Sequence, residues 1–173
     1  EAAGLKALAS STLTGSLSSA KVALVVLPGA SDDDVTAIRS TLTDAGASVV
    51  GRVTLTDNWQ STSMSQYRTT LSTTLASHLA SGAAKTASAD GVVGYSIVQV
   101  LTTTGAETDL LRQILTDEST PIMTVDEDAN GGATAIIAVG PRAQATAASN
   151  ATPAAVTSNP DAWVGLGQAL GST

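Results

Sequence analysis

The sequence predicts an α/β fold in which helices flank a small, mostly parallel sheet. Segments with strand character alternate along the chain with segments of helical periodicity, as in repeated βα units. One strand-like run is apolar throughout, which is typical of a strand buried on both faces of a parallel sheet. The expected architecture is a Rossmann-like, three-layer domain with about four strands, at residues 21–27, 47–55, 121–125 and 133–139.

The first two strands and the helix between them form the clearest unit. Lys21–Leu27 is the apolar run, and a Pro-Gly pair ends it. Ser31 then precedes three aspartates, and apolar side chains follow at helical spacing until Gly46, which predicts a capped amphipathic helix. Residues 47–55 supply the second strand, and the helical connection predicts that it runs parallel to the first.

Helices and two further strands follow this unit. Ser63 opens a Ser-x-x-Gln capping box, and apolar side chains then line one face of a predicted helix that ends near Gly82. The next helical segment contains Gly91 and Gly94, which weaken a helix because glycine loses more backbone freedom on folding than other residues. The remaining predicted elements are helices at residues 89–103 and 104–115, strands at 121–125 and 133–139, and a short helix at 162–170.

The composition of the chain changes near residue 142. We expect residues 1–142 to form the α/β domain, with a lead-in helix at residues 5–17 whose leucines recur at helical spacing. Residues 143–173 are rich in Ala, Thr and Pro. They predict an irregular segment that ends in the short helix and packs on the same domain.

The composition also excludes several classes of function. The 173 residues carry a net charge of −7 and only eight scattered Lys and Arg residues, whereas nucleic-acid binding needs clustered basic side chains. The absence of cysteine excludes disulfides, thiolate metal sites and thiol catalysis. No stretch approaches the roughly 18 apolar residues of a transmembrane helix. We therefore expect no nucleic-acid partner and no membrane span within this sequence.

Three consecutive aspartates follow the first strand, at the position where ligands bind in open α/β sheets. Asp32, Asp33 and Asp34 are candidate ligands of a divalent cation, because hard cations take carboxylate oxygens. Carboxylates in the first turn of a helix also complement the helix dipole without any ligand, and we prefer this interpretation. The aspartates stand where a dinucleotide needs bare backbone amides, so no nucleotide cofactor is predicted.

A second acidic candidate lies between the last two predicted strands. Asp126, Asp128 and Asn130, followed by Gly131, match the opening of a calcium loop, in which alternating oxygen ligands surround the ion. The bidentate Glu that closes such a loop would fall at Ile137. Since an Asn-Gly pair is also a strong turn signal, a solvated acidic turn is the preferred interpretation.

No catalytic residue and no cofactor are predicted. His78 is the only histidine, and the sequence contains neither a Gly-x-Ser-x-Gly elbow nor a His-x-x-x-His pair. We expect His78 to pack, partly buried, against neighbouring leucines. Trp59 lies in a polar loop, where it either folds back onto the domain or anchors a protein partner, and we favour packing onto the domain.

Two segments carry a likeness to a known family. They are Lys21–Val35, KVALVVLPGASDDDV, and Ala45–Thr56, AGASVVGRVTLT. Their order of hydrophobic strand, proline, Asp-rich helix start, Ala-Gly-Ala and a second strand ending in Leu-Thr resembles the extracytoplasmic domain of the mycobacterial copper transport protein B family of actinobacteria. The resemblance extends more loosely over residues 5–142. These are fold motifs, which support homology better than mechanism.

The resemblance implies a location and a role. Members of the family carry an N-terminal membrane helix and a coiled coil before this domain, lie in the cell envelope, and keep intracellular copper low by moving copper outward. Copper(I) prefers thioether and imidazole ligands, for which this chain offers Met64, His78 and Met123. Because Met64 and His78 are about 21 Å apart along one predicted helix, we expect that they do not share an ion.

Two hypotheses of different classes follow. The first is a non-enzymatic extracytoplasmic domain that acts as a scaffold or partner-binding module in copper efflux, with a second copy of the chain or another envelope protein as its partner. The second is a domain that binds a small molecule or a divalent cation through Asp32–Asp34 and Asp57 at the strand ends. If the domain is an enzyme, hydrolysis at these aspartates is the only activity that the residues suggest.

Overall fold

The computed structural model of the chain describes residues 17–142 and 160–171. Within these residues, the strands are β1 (Lys21–Val26), β2 (Ser48–Leu55), β3 (Met123–Glu127) and β4 (Ala135–Val139). They form a sheet in the order β3-β2-β1-β4. β1 pairs in parallel with both β2 and β4, and β2 pairs antiparallel with β3. The predicted α/β class with a mostly parallel sheet is confirmed.

Helices connect the strands and cover both faces of the sheet. A turn of 3₁₀-helix, Thr62–Met64, lies between the second and third α-helices. The α-helices of the described residues are α1 (Asp32–Asp44), α2 (Asp57–Gln60), α3 (Ser65–His78), α4 (Gly82–Lys85), α5 (Ala89–Thr102), α6 (Ala106–Leu115) and α7 (Pro160–Gly171).

β1 is buried on both faces, as its unbroken apolar sequence predicts. Its alternate residues belong to two separate clusters of buried side chains, because successive side chains of a strand point to opposite faces. Leu24 lies in the cluster under α1, and Val25 lies in the larger cluster under α3, α5, α6 and α7. Both side chains are completely buried. The sheet is therefore the middle layer of three.

Local signals determine both ends of α1. The Oγ atom of Ser31 accepts a hydrogen bond from the backbone amide of Asp34 at 3.1 Å, which satisfies one free amide of the first turn. Gly46 follows the last turn with a φ of +91°, in the left-handed region that favours glycine. The capped helix that the sequence predicts is confirmed at both ends.

The segment between β3 and β4 crosses from one edge of the sheet to the other. The predicted Asn-Gly turn is present, with φ of 48° at Asn130 and 66° at Gly131, but it closes no hairpin because β3 and β4 lie at opposite edges. The crossing chain passes close to β2, since a Cβ at Gly51 would lie 2.5 Å from the Cβ of Ala129. Glycine at position 51 therefore makes the crossing sterically feasible.

The capping box predicted at Ser63 is wrong. α3 begins only at Ser65, and no side chain caps its N-terminus. The hydroxyl of Ser63 instead forms a hydrogen bond with the hydroxyl of Ser61, at 2.7 Å. The chain therefore enters α3 from a 3₁₀ turn rather than from a side-chain cap.

α3 also ends at His78, earlier than the predicted end near Gly82. Beyond this point, the side chain of Gln99 forms hydrogen bonds with backbone groups at the end of the helix. Its Nε2 donates to the carbonyl of His78 at 3.2 Å, and its Oε1 accepts from the amide of Ala80 at 3.0 Å. Leu79, between them, is thereby turned into the core, where it is 3% exposed.

α5 and α7 approach each other so closely that glycine is required on both. A Cβ at Gly94 would lie 2.8 Å from the carbonyl oxygen of Gly165, and a Cβ at Gly165 would lie 2.6 Å from the backbone of Asp90. The glycines that weaken the prediction of α5 are thus explained by its packing. The helix spans nearly the predicted range.

The rest of the predicted organisation is only partly covered. The lead-in helix predicted at residues 5–17 lies outside the described residues except for Leu17, and so does the irregular segment before α7. α7 packs on α5, and it begins slightly earlier than the short helix predicted at residues 162–170. The division of the chain at residue 142 stays a prediction.

The α5–α7 contact can be tested with two alanine substitutions in α7. Gly165→Ala should lower the free energy of unfolding by about 1–3 kcal/mol, because the new methyl group overlaps the Asp90 backbone. Gly167→Ala is the matched control, since a Cβ there meets no atom within 4 Å. It should stabilise the helix by up to about 1 kcal/mol. Urea unfolding curves measure both changes, and equal stabilities would contradict the close approach.

Candidate functional site

The carboxyl ends of β1 and β4 border an open crevice of about 600 Å³. β2 and β4 lie on opposite sides of β1, so the connections that follow β1 and β4 diverge at this edge. Ligands of open α/β sheets usually bind at such a position. An ion pair between Asp34 and Arg142 spans the crevice: Arg142 Nε donates to Asp34 Oδ2 at 2.8 Å, and Arg142 Nη2 donates to Asp34 Oδ1. These hydrogen bonds hold the pKa of the Asp34 carboxyl below its ordinary 3.8.

The three aspartates at the start of α1 do not converge on one point. The side chain of Asp32 is 97% exposed and lies 3.8 Å from Arg52 Nη2. Asp33 is also exposed, and only Asp34 borders the crevice. Their shared position in the first turn of the helix fits the dipole interpretation that we prefer above. Asp57 lies separately, in the first turn of α2.

The acidic residues of β3 are paired with arginines on neighbouring elements. Asp126 accepts a hydrogen bond from Thr54 Oγ1 at 2.5 Å and lies 3.4 Å from Arg52 Nε. Glu127 accepts two hydrogen bonds from the Arg39 guanidinium, at 2.5 and 3.1 Å. These hydrogen bonds lower the pKa of Glu127 and raise the pKa of Arg39, and the attraction between the two charges adds to both shifts. These contacts join α1, β2 and β3.

The candidate calcium loop forms a turn that uses its own oxygens. Asp128 Oδ1 accepts a hydrogen bond from the backbone amide of Asn130 at 2.8 Å, which is an Asx turn. Asp128 Oδ2 lies 3.2 Å from Arg112 Nη1 on α6. Ile137, at the closing position of the loop, is part of β4 and brings no oxygen ligand. The arrangement is that of an acidic turn fastened to a helix.

Four of the candidate metal ligands, the side chains of Asp32, Asp34, Asp126 and Asp128, thus lie within 4 Å of guanidinium groups. Across residues 17–142 and 160–171, no cluster of three or more His, Asp or Glu side chains is placed to hold a metal ion. A guanidinium beside a carboxylate opposes cation binding, because it adds a positive charge where the cation would sit. In the structure, these four carboxylates are engaged in ion pairs.

The three soft side chains Met64, His78 and Met123 lie on different elements. Met64 precedes α3, and His78 is its last residue, so a rise of about 1.5 Å per residue separates their backbones by about 21 Å. Met123 is 1% exposed, within the core. The Nδ1 atom of His78 forms an ion pair with Glu107 Oε2 at the start of α6 when the imidazole is protonated. His78 is partly buried, and its side-chain partner is the carboxylate of Glu107.

A groove that the sequence analysis does not predict lies beside His78. Its apolar part, about 230 Å³, is lined by α4 and α5, including Ala84, Tyr95 and Val98. A polar part of about 600 Å³ continues past Gln99 to the start of α6. No short motif marks it, because it results from the early end of α3 and the separate helix α4. A groove formed by four elements leaves no local signal in the sequence.

The principal residue that sequence analysis misses is Arg68, a fully buried cation on α3. Its side chain is 1% exposed. Nε donates to Asp90 Oδ1 on α5 at 2.8 Å, and Nη1 donates to the carbonyls of Asn58 and Ser61, at 2.9 and 2.7 Å. One guanidinium thus holds together α3, α5 and the chain around α2.

The apolar periodicity of α3 predicts only part of its buried face. The sequence places Tyr67, Leu71 and Leu75 on one stripe. Leu75 is completely buried, and Tyr67 and Leu71 are partly buried against the larger core cluster. Arg68 is buried beside this stripe, which the apolar pattern does not predict. Its pairing with Asp90, which is distant in sequence, explains why a charged side chain joins the buried face.

Trp59 is completely buried in α2 and belongs to the larger core cluster. It therefore folds back onto the domain, which is the interpretation that we favour above. A buried indole presents no surface to a partner, so the structure does not support Trp59 as an anchor. The indole and the neighbouring Arg68 contacts together hold α2 against the helices.

Two substitutions compare the buried ion pair with an exposed one. Arg68→Met should lower the free energy of unfolding by about 3–5 kcal/mol, because it removes the counter-charge of the nearly buried Asp90. Arg39→Met is the matched control, since its pair with Glu127 is about 40% exposed. It should cost less than about 1 kcal/mol. Denaturant unfolding of the two variants measures both losses of stability. Similar losses for Arg68→Met and Arg39→Met would argue against a structural role for Arg68.

The Arg39–Glu127 pair should contribute to the dependence of stability on pH. The pKa of Glu127 is lowered in the folded state, from an ordinary 4.5, so the pair stabilises the protein above that pH and is lost as the pH falls through the folded pKa. Glu127→Gln should therefore reduce stability by up to about 1 kcal/mol at neutral pH, and by progressively less as the pH falls below 4.5 toward the folded pKa. Urea melts across this range measure it. A difference that stays constant with pH would contradict the assignment.

Comparisons with known proteins bear on the identity of the chain. In the part of the chain that the structure describes, none of the helices has the length and hydropathy to span a bilayer. No curated protein matches the sequence. A family model described as copper transport outer membrane protein, MctB, matches residues 1–169. It confirms the resemblance carried by Lys21–Val35 and Ala45–Thr56, and the chain therefore belongs to the MctB family of copper transport proteins.

Proposed function

We propose that this chain is the extracytoplasmic, non-enzymatic domain of a cell-envelope protein in copper efflux, where it acts as a scaffold or partner-binding module. The family supports a role related to copper transport. The placement of the soft side chains supports the rest of the proposal. Copper(I) is best held by two or more such ligands around one ion. Met64 and His78 lie about 21 Å apart along α3, and Met123 is buried in the core.

The distribution of charge supports the same conclusion. Carboxylates that would suit a cation are engaged by arginines that join one element to another. The alternative, a cation or small-molecule site at the strand ends, is disfavoured because Arg142 lies against Asp34 in the crevice. Carboxylates that are already paired with arginines suit a scaffold or partner-binding surface better than the capture of an ion.

The first test is a copper(I) titration of the isolated chain against a chromogenic chelator. We expect no stoichiometric binding tighter than micromolar, either for the wild type or for the triple variant Met64→Leu, His78→Gln, Met123→Leu. The exchange of buried Met123 for leucine nearly conserves volume, so the variant should remain folded. Tight binding that the triple variant loses would show that the fold unites these residues after all.

The second test is made in cells. Deletion of the gene should raise cellular copper and sensitivity to copper salts, and the wild-type gene should reverse both effects. The triple variant should complement equally well, because the proposal assigns its side chains no contact with copper. Complementation by the wild type alone, with the variant expressed and folded, would indicate direct ligation. A deletion that leaves cellular copper unchanged would contradict the role in copper efflux.

A further inference from the structure

The two edges of the sheet differ in their protection against pairing with another strand. β3, at one edge, carries Asp126 and Glu127, and its pairing with β2 is irregular between Arg52 and Val53. Charges and bulges of this kind are the usual protection of an edge strand. β4, at the other edge, has the sequence AIIAV, without charge, proline or irregularity. Among the described strands, β4 pairs with β1 alone.

No strand of residues 17–142 and 160–171 pairs with the outer edge of β4, and we call this the open edge. The backbone of β4 presents hydrogen-bonding groups there. Val139 turns its carbonyl toward β1, where it accepts from the amide of Leu27 at 2.8 Å. In a regular parallel ladder, alternate residues face the partner strand, so the peptide groups of Ile136 and Ala138 face away from β1. A row of such groups is a template for another strand.

The side chains of β4 indicate what kind of element would cover the edge. Ile136 packs against the cluster under α5 and α6, whereas Ile137 packs against the cluster under α1, and both are only partly buried. They lie on opposite faces of the sheet. A helix docked on one face would cover one isoleucine, whereas a strand added alongside β4 would cover both and pair the backbone as well.

We propose that β4 pairs antiparallel with β4 of a second copy of the chain, so that two four-stranded sheets join across a two-fold axis. The uncharged strand brings no like charges together when it meets itself. A β3–β3 contact would oppose the carboxylates of Asp126 and Glu127, which costs free energy in a chain of net charge −7. Two-fold pairing is also closed, so it gives a dimer and not a filament.

The proposed contact is small, and its strength follows from that size. Each copy contributes five residues of β4 and the isoleucine side chains beside them. An interface of this extent belongs to the weak, transient class, so we expect dissociation in the micromolar range. The inference depends on the sheet and not on the proposed role in copper efflux, and either can fail without the other.

Sedimentation equilibrium of the full chain from about 5 to about 500 μM tests the dimer. We expect a reversible monomer–dimer equilibrium. Amide hydrogen exchange at Ile136 and Ala138 should slow as the concentration rises, because these amides gain partners only in the dimer. A monomer throughout the range would overturn the proposal. So would strong protection of both amides at the lowest concentration, which would show that the chain covers its own edge.

Two matched lysine variants locate the interface. Ile137→Lys should weaken dimerisation at least tenfold, because it places like charges close together across the two-fold axis. Thr124→Lys adds the same charge at an exposed position of β3, on the other edge, and should leave dimerisation unchanged. If Ile137→Lys does not fold, Ala138→Pro removes an amide that faces the open edge and should have the same effect. Equal dimerisation of the β4 variants and the wild type, or equal weakening by Thr124→Lys, would overturn the proposal.

Discussion

The domain depends on close packing of small aliphatic side chains against both faces of β1. The sequence contains no phenylalanine, so the core is filled largely by Val, Leu, Ile and Ala. Such side chains each bury little surface, and the core therefore needs short distances between backbones. Gly94 and Gly165 provide them between α5 and α7, and Gly51 provides them between β2 and the crossing chain. Close approach of the backbones compensates for the lack of large side chains.

The arginines of the chain fasten this packed core at its margins. Exposed pairs contribute little free energy each, so their effect is mainly to orient loops and helix ends. Arg68 differs, because its side chain is buried and its charge is paired with that of Asp90. Each arginine lies within 4 Å of an acidic side chain, in the pairs Arg39–Glu127, Arg52–Asp126, Arg68–Asp90, Arg112–Asp128 and Arg142–Asp34.

The parts of the fold that sequence analysis predicts correctly have local causes. β1 follows from one apolar run, and α1 follows from Ser31 at its start and Gly46 at its end. The antiparallel direction of β3 and the pairing of β4 with β1 depend on contacts between distant segments, which periodicity does not contain. The direction of β3 and the edge position of β4 could therefore not be predicted from the sequence.

The candidate site shows the same limit. The aspartates at the start of α1 are visible in the sequence, but the partner of Asp34 is Arg142, 108 residues away. The burial of Arg68 on α3 is hidden in the same way, because its partner Asp90 lies 22 residues away on another helix. Residue types identify candidates for chemistry. Their partners decide whether that chemistry is available, and the partners lie elsewhere in the chain.

The pairing of β1 with β4 has a consequence for how the chain reaches its folded state. Lys21 and Thr134, which join the starts of the two strands, are 113 residues apart. Non-local strand pairing closes late and slows folding, because the loop entropy is lost before the contacts form. During synthesis, the central strand β1 therefore has a partner on one side only, and such edges favour aggregation. The solubility of the nascent N-terminal half thus depends on a strand that the ribosome adds after all the other strands of the sheet.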